Sequence, residues 1–307
     1  MDYVYLTVGL ALLVFAANYF VEYATGLARH LRFHVAVFGA VIVAIGTSLP
    51  ELVVTIESSF EHLPDIVVGN IMGSNIANIG LVLGVAMVLG RIKVGQDRLH
   101  IKNTLSLIAS LLFISLLALN WLFWPAGLVL LFTAVWLVSD LSRQQMPPQL
   151  EEVKVSKRTL ALSWLILAVS LAGVIIGSQV TIDSSLAIAR SFDIPVGIIA
   201  ATTIAVGTSL PELVITLVAV KKRQTDLAIG NIVGSNLFNI VLIGGAGATI
   251  TSLGTDVSLP LALILFFIFF TVMGFILAGG YIRSNRRYGW LLIGMYLVFL
   301  LSSYLLY

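Results

Sequence analysis

The residues of this chain best placed to do chemistry are two glutamates set in apolar surroundings. Glu51 lies in Ala44-Ile-Gly-Thr-Ser-Leu-Pro-Glu-Leu-Val53 and Glu212 in Ala205-Val-Gly-Thr-Ser-Leu-Pro-Glu-Leu-Val214. The decapeptides agree at nine of ten positions and are 161 residues apart. An ionisable group inside an apolar span is costly and points to function. Each Glu follows a Pro, which removes a backbone donor and clashes with the carbonyl four residues back. That is Gly46 for Pro50 and Gly207 for Pro211, so carbonyls should be left free around 44–47 and 205–208. Free carbonyls, hydroxyls and two carboxylates make an oxygen-only, doubly negative nest. It suits a hard cation: calcium accepts six to eight oxygens with flexible geometry, whereas magnesium dehydrates reluctantly. Sodium can use the same neutral oxygens. The plain alternative is a hydrogen-bonded Glu that stabilises a kink.

A second pair of motifs keeps the same spacing. Gly69-Asn-Ile-Met-Gly-Ser-Asn-Ile-Ala-Asn78 is matched by Gly230-Asn-Ile-Val-Gly-Ser-Asn-Leu-Phe-Asn239. Gly at i and i+4 permits close helix approach. Asn70, Ser74 and Asn78 recur every four residues and share a helical face, as do Asn231, Ser235 and Asn239. Ser74, Asn78, Ser235 and Asn239 would complete a coordination shell around the carboxylates. For Asn70, Asn75, Asn231 and Asn236, interhelical hydrogen bonding and cation contact both stay open.

The elements that must hold these motifs are membrane helices. The hydrophobic fraction is 59% against 10% charged residues, and Ser163–Ile182, Val257–Ile282 and Tyr288–Tyr307 carry no Asp, Glu, Lys or Arg. The formal charge of +2 gives no reason to expect nucleic acid, and the lack of cysteine excludes disulfides and thiolate metal sites. His30, His34, His62 and His100 all fall in or beside loops. No basic leader precedes the first apolar stretch, so that stretch reads as a retained helix.

The pattern predicts an all-α integral membrane protein of ten transmembrane helices. They lie near 3–28, 35–60, 66–89, two within 103–139, 159–189, 195–220, 227–251, 257–281 and 288–306. The run 103–139 is too long for one span and divides at Asn120-Trp-Leu-Phe-Trp-Pro125, a tight interfacial turn. Loops after helices one, three, five, seven and nine then carry 16 of the 17 basic residues. By the positive-inside rule those loops are cytoplasmic, and both termini lie outside the cell membrane. The exception, Arg190, pairs with Arg29 at the 161-residue offset, as do Gln179 with Asn18 and Asp183 with Glu22. Five helices per half is odd, so the second copy enters the membrane upside down. The expected organisation is a first repeat over 1–142 (motif region 39–84), a cytoplasmic linker over 143–158 and a second repeat over 159–307 (motif region 200–245). Substrate sites of such inverted repeats lie near the midplane.

These paired motifs resemble the sodium/calcium exchanger branch of the cation/calcium exchanger superfamily. Its two repeats carry G-T-S-x-P-E and G-[SN]-x-x-x-[ND], and the short linker is similar to prokaryotic members. The resemblance implies a secondary antiporter, not an enzyme, that exchanges Ca2+ for Na+ by alternating access. It implies no cofactor beyond the transported ions, no nucleic-acid contact, and no obligatory protein partner besides the lipid bilayer. It places calcium on Glu51 and Glu212 with the carbonyls of Thr47 and Thr208. Sodium would share both Glu and draw on Ala44, Ser48, Ser74, Ala205, Ser209 and Ser235, while helices one and six would slide to alternate access. One position departs: many members have Asp where this chain has Asn239. That removes a third carboxylate, argues against potassium co-transport, and leaves proton coupling as the alternative to sodium. A cation channel lined by the same residues is a further alternative.

Overall fold

In a computed structural model, residues 1–89, 92, 97–141, 157–192, 207–253, 260–282 and 285–306 are described. Most of the linker expected over 143–158, and the start of the seventh expected helix, lie outside the described residues.

The described chain is helical throughout: α1 (Asp2–His30), α2 (Val35–Thr47), α3 (Leu49–Phe60), α4 (Pro64–Val88), α5 (Asp97–Ala118), α6 (Trp124–Leu141), α7 (Lys157–Ser191), α8 (Leu210–Lys221), α9 (Thr225–Ile250), α10 (Leu261–Ala278) and α11 (Arg286–Leu306). Among the described residues six helices are long and apolar enough to cross a membrane, and α2 with α3 makes a seventh if the bent pair is one span. The apolar α6 is shorter. The run 103–139 divides where its turn signals stand: α5 ends at Ala118, and Asn120 adopts φ 57° before α6 begins. Asn tolerates this left-handed conformation better than most residues.

α4 and α9 form the centre. In their most apolar windows 83% and 94% of residues are buried, against 22–33% for α1, α5, α7 and α10, whose outer faces are apolar and exposed. α9 lies directly on the first turns of α2. A Cβ on Gly230 would come 2.1 Å from the Ala36 carbonyl oxygen, and one on Gly234 2.1 Å from that of Ala40. The glycines expected to admit a close neighbour do so in this half. The positions 161 residues beyond Ala36 and Ala40 are 197 and 201, outside the described residues.

The 161-residue register governs the structure as it governs the sequence. α3 and α8 are both 12 residues long, and α4 and α9 each run 14 residues before widening into six residues of i→i+5 turns at Asn78–Leu83 and Asn239–Gly244. Neighbours correspond too. α11 packs on the end of α4 as α6 packs on the end of α9, and α10 meets α4 as α5 meets α9. α1 and α7 lie side by side and antiparallel: Gly9 abuts Thr181, while Leu13 and Ala16 abut Gly177 and Gly173.

Candidate cation site

The site begins at two matching helix starts. α2 and α3 meet at Ser48 (φ −87°, ψ 13°) with a bend of 46°, and α8 starts after Ser209 (φ −85°, ψ 8°). Pro50 and Pro211 occupy the first turns of α3 and α8, where a missing N–H costs nothing. Glu51 and Glu212 fall in those same first turns. A helix N-terminus presents unpaired N–H groups and a partial positive charge, so each carboxylate stands where the backbone stabilises it. The span expected over 35–60 is a bent pair of helices, with the irregular backbone beside Pro50 falling at Ser48. The expected free carbonyl at Ala44 is corrected. Ala44 O accepts the Ser48 N–H at 3.1 Å and the Thr47 hydroxyl at 3.2 Å, because the chain bends at Ser48 rather than opening the turn before it. Ala205 lies outside the described residues.

Side chains from both halves converge on these helix starts. Ser48 donates to Glu212 Oε1 at 2.9 Å. Thr47 Oγ1 shares its one proton between the Ala44 carbonyl and Asn231 Oδ1, both at 3.2 Å, and lies 3.4 Å from Ser235 Oγ. Its counterpart Thr208 lies 3.3 Å from Ser74 through the two hydroxyls, and both face Glu51 without closing a hydrogen bond to it. Glu51 and Glu212 are within electrostatic reach of each other. Both are buried, as are Thr47, Ser48, Ser74, Asn78, Ser209, Ser235 and Asn239, while Thr208 is half-buried.

The four amides left open by sequence now separate. Both amide atoms of Asn231 have partners, accepting from Thr47 and donating to Thr216 Oγ1 at 3.3 Å. Both of Asn75 do as well, donating to the Asn236 carbonyl at 3.2 Å and accepting from Asn239 at 3.0 Å. Asn70 donates to Glu51 O at 3.0 Å and to Thr55 Oγ1 at 3.1 Å, but its Oδ1 has no partner among the described residues. Asn236 Oδ1 has none either. Sequence reasoning overlooked Thr55 and Thr216, which orient Asn70 and Asn231. Their signal was present, since they are one more identical pair at the 161-residue offset.

What this arrangement can do follows from its unsatisfied atoms. Buried polar atoms are nearly always hydrogen-bonded, and exceptions call for a reason. In the two motif pairs the atoms without a partner among the described residues are both oxygens of Glu51, Glu212 Oε2, Ser209 Oγ, Asn70 Oδ1, Asn236 Oδ1, Asn239 Oδ1 and both amide atoms of Asn78. Eight are oxygens. Among the described residues no group of three or more His, Cys, Asp or Glu could hold a metal ion, so the centre offers two formal charges and otherwise neutral oxygen. That donor set fits a hard, weakly held cation and excludes the nitrogen and sulfur ligation typical of zinc.

Known proteins share this architecture. The family profile for sodium/calcium exchanger protein matches residues 1–139 and 162–305. The sodium/calcium exchanger MaX1 of Methanosarcina acetivorans is 31% identical over 287 residues, 80% of this chain and 82% of that protein. The inner membrane protein YrbG of Escherichia coli is 36% identical over 256 residues, 80% of this chain and 79% of that protein. A solved structure of the sodium-calcium exchanger NCX_Mj, soaked with 10 mM Na+ and zero Ca2+, superposes with a TM-score of 0.84 at 27% identity over 97% of both chains. With one family profile covering both halves, and relatives of this identity along most of their length, the chain belongs to the sodium/calcium exchanger family.

Proposed function

We propose that this membrane protein exchanges Ca2+ for Na+ across the cell membrane by alternating access. The observation that carries the reading is the convergence of Glu51 and Glu212, each in the first turn of a helix, with five further buried side-chain oxygens that lack a partner among the described residues. Two buried carboxylates repel each other and are poorly solvated, so a cation between them offsets a large electrostatic cost. One Ca2+ or a set of sodium ions can neutralise the pair. Both use the same oxygens and therefore compete, which favours exchange over uncoupled passage. Calcium would bind Glu51 and Glu212 with Thr47 and Thr208, while sodium would share Ser48, Ser74, Asn78, Ser209, Ser235 and Asn239.

The proposed frame is ten helices in two inverted repeats, 1–142 and 159–307. The matched helix lengths support it, as do the exchangeable neighbours and the antiparallel α1–α7 pair of corresponding helices. Both termini face outward in this reading. It is consistent that Arg29 reaches Gln224 at 3.5 Å and Lys222 pairs with Glu22 at 3.0 Å, which gathers the basic ends of α1 and α8 on one face. α1 and α7 share their long interface with each other, and this makes them a natural sliding unit against the α4–α9 core.

The test is uptake of radiolabelled calcium by proteoliposomes under an outward sodium gradient, an outward proton gradient, or neither. Sodium-driven uptake is the expected result. Uptake driven by protons alone reassigns the coupling ion, and uptake with neither gradient replaces the exchanger by a channel.

A further inference from the structure

At the crossing of α4 and α9 three amides form a chain with a fixed direction. Asn75 Nδ2 donates to the backbone carbonyl of Asn236 at 3.2 Å, and Asn239 Nδ2 donates to Asn75 Oδ1 at 3.0 Å. Side-chain amide orientations are ordinarily ambiguous because O and N look alike. Here chemistry settles them, since a backbone carbonyl can only accept. Asn75 must turn its NH2 towards Asn236 and hence its oxygen towards Asn239. Asn239 must then turn its own NH2 towards Asn75, and its Oδ1 points away, buried and without a partner among the described residues. Asn239 lies one turn beyond Ser235, which touches Thr47, and the segment Asn239–Gly244 packs against α3, the helix of Glu51.

The plain account is interhelical glue, and the other half of the molecule speaks against it. Asn236 and Asn78 occupy the same register 161 residues away from Asn75 and Asn239. Among the described residues Asn236 Oδ1 and both amide atoms of Asn78 lack partners, so the corresponding bond is not made.

We infer that Asn75 is a positioning residue: through Asn239 it holds one neutral carbonyl oxygen on the transported cation, and it makes position 239 require a hydrogen-bond donor. An amide meets that requirement, whereas an ionised carboxylate would set oxygen against oxygen. Asn75 thereby keeps the centre at two negative charges. The inference deepens the exchange reading and rests on it.

Equilibrium binding of radiolabelled Ca2+ to the purified full chain in sodium-free detergent tests it, on the wild type, Asn75→Leu, Asn239→Leu and the double variant. Each single substitution is expected to weaken Ca2+ binding about tenfold, and the double to bind no more weakly than Asn239→Leu, because Asn75 acts only through Asn239. Asn75→Ala serves the same comparison if the leucine variant does not fold. Asn103→Leu removes a part-buried interhelical bond away from the two motif pairs, Asn103 Nδ2 to Phe275 O at 2.9 Å, and is expected to lower the melting temperature without changing Ca2+ affinity. Single effects that multiply in the double variant overturn the inference, as does an Asn75 variant with wild-type affinity. A wild type that binds no Ca2+ overturns the exchange reading itself, a separate and recognisable failure.

Discussion

Ser48 and Glu212 are 164 residues apart in sequence and share a 2.9 Å hydrogen bond, yet the corresponding pair, Ser209 and Glu51, makes none. The two halves are alike in sequence at these positions and unlike in contacts. One carboxylate is partly held by the opposite half, and the other has no hydrogen-bond partner among the described residues.

This asymmetry has a direct consequence for the ion-free protein. A buried hydrogen bond to a charged group contributes about 1.5–3 kcal/mol, while a hydroxyl without a partner contributes little. Ser48→Ala is therefore expected to lower thermal stability in sodium- and calcium-free detergent clearly more than Ser209→Ala. Equal melting temperatures for the two variants would contradict the described contacts.

The approach of α9 to α2 leaves no room at Gly234, where an added Cβ would meet the Ala40 carbonyl oxygen at 2.1 Å. Backbone cannot yield as a flexible side chain does, so Gly234→Ala should cost roughly 1–3 kcal/mol or more. Gly26, with nothing within 4 Å of its added Cβ, is the matched control. A Gly234→Ala protein that purifies and melts like Gly26→Ala would count against the packing.

Lys222 joins the turn after α8 to α1, bonding Glu22 at 3.0 Å and the Asn18 carbonyl at 2.8 Å. The residues at the same offset to Lys222 and Glu22 are Glu61 and Asp183, two acids, so the opposite end of the molecule cannot copy this ion pair. The Glu22 side chain is 69% exposed, and such a pair adds at most about 1 kcal/mol to stability. If α1 slides, however, the bond must break in each cycle. Lys222→Gln is expected to leave the melting temperature and the KM for calcium near wild type while changing turnover severalfold. Turnover equal to wild type would mean that α1 does not move past this turn.

Much of this was legible in the sequence because polar residues inside apolar spans are few, and a shared offset of 161 makes each one count twice. That register singled out both Glu and the paired Ser and Asn, while the turn at Asn120 was marked by its own Asn, Trp and Pro. The local backbone was not legible in this way. Pro50 announced a disturbance, but whether it frees Ala44 O or bends the chain at Ser48 depends on where the neighbouring N–H groups can go. The i→i+5 turns after Ala77 and Phe238 carry no residue signature, and they set how Asn78 and Asn239 enter the centre. The division between Asn75 and Asn231, whose oxygens have partners, and Asn70 and Asn236, whose oxygens have none among the described residues, was beyond reach, since identical residues in matching positions differ only through three-dimensional contacts.

The central claim is one shared cation centre built on Glu51 and Glu212, and equilibrium calcium binding with sodium competition tests it most directly. Purified protein is expected to bind one Ca2+ per chain, with sodium displacing it and with Glu51→Gln or Glu212→Gln each reducing affinity at least a hundredfold. Calcium binding that survives both substitutions, or that sodium does not displace, would show that the ions do not share this site.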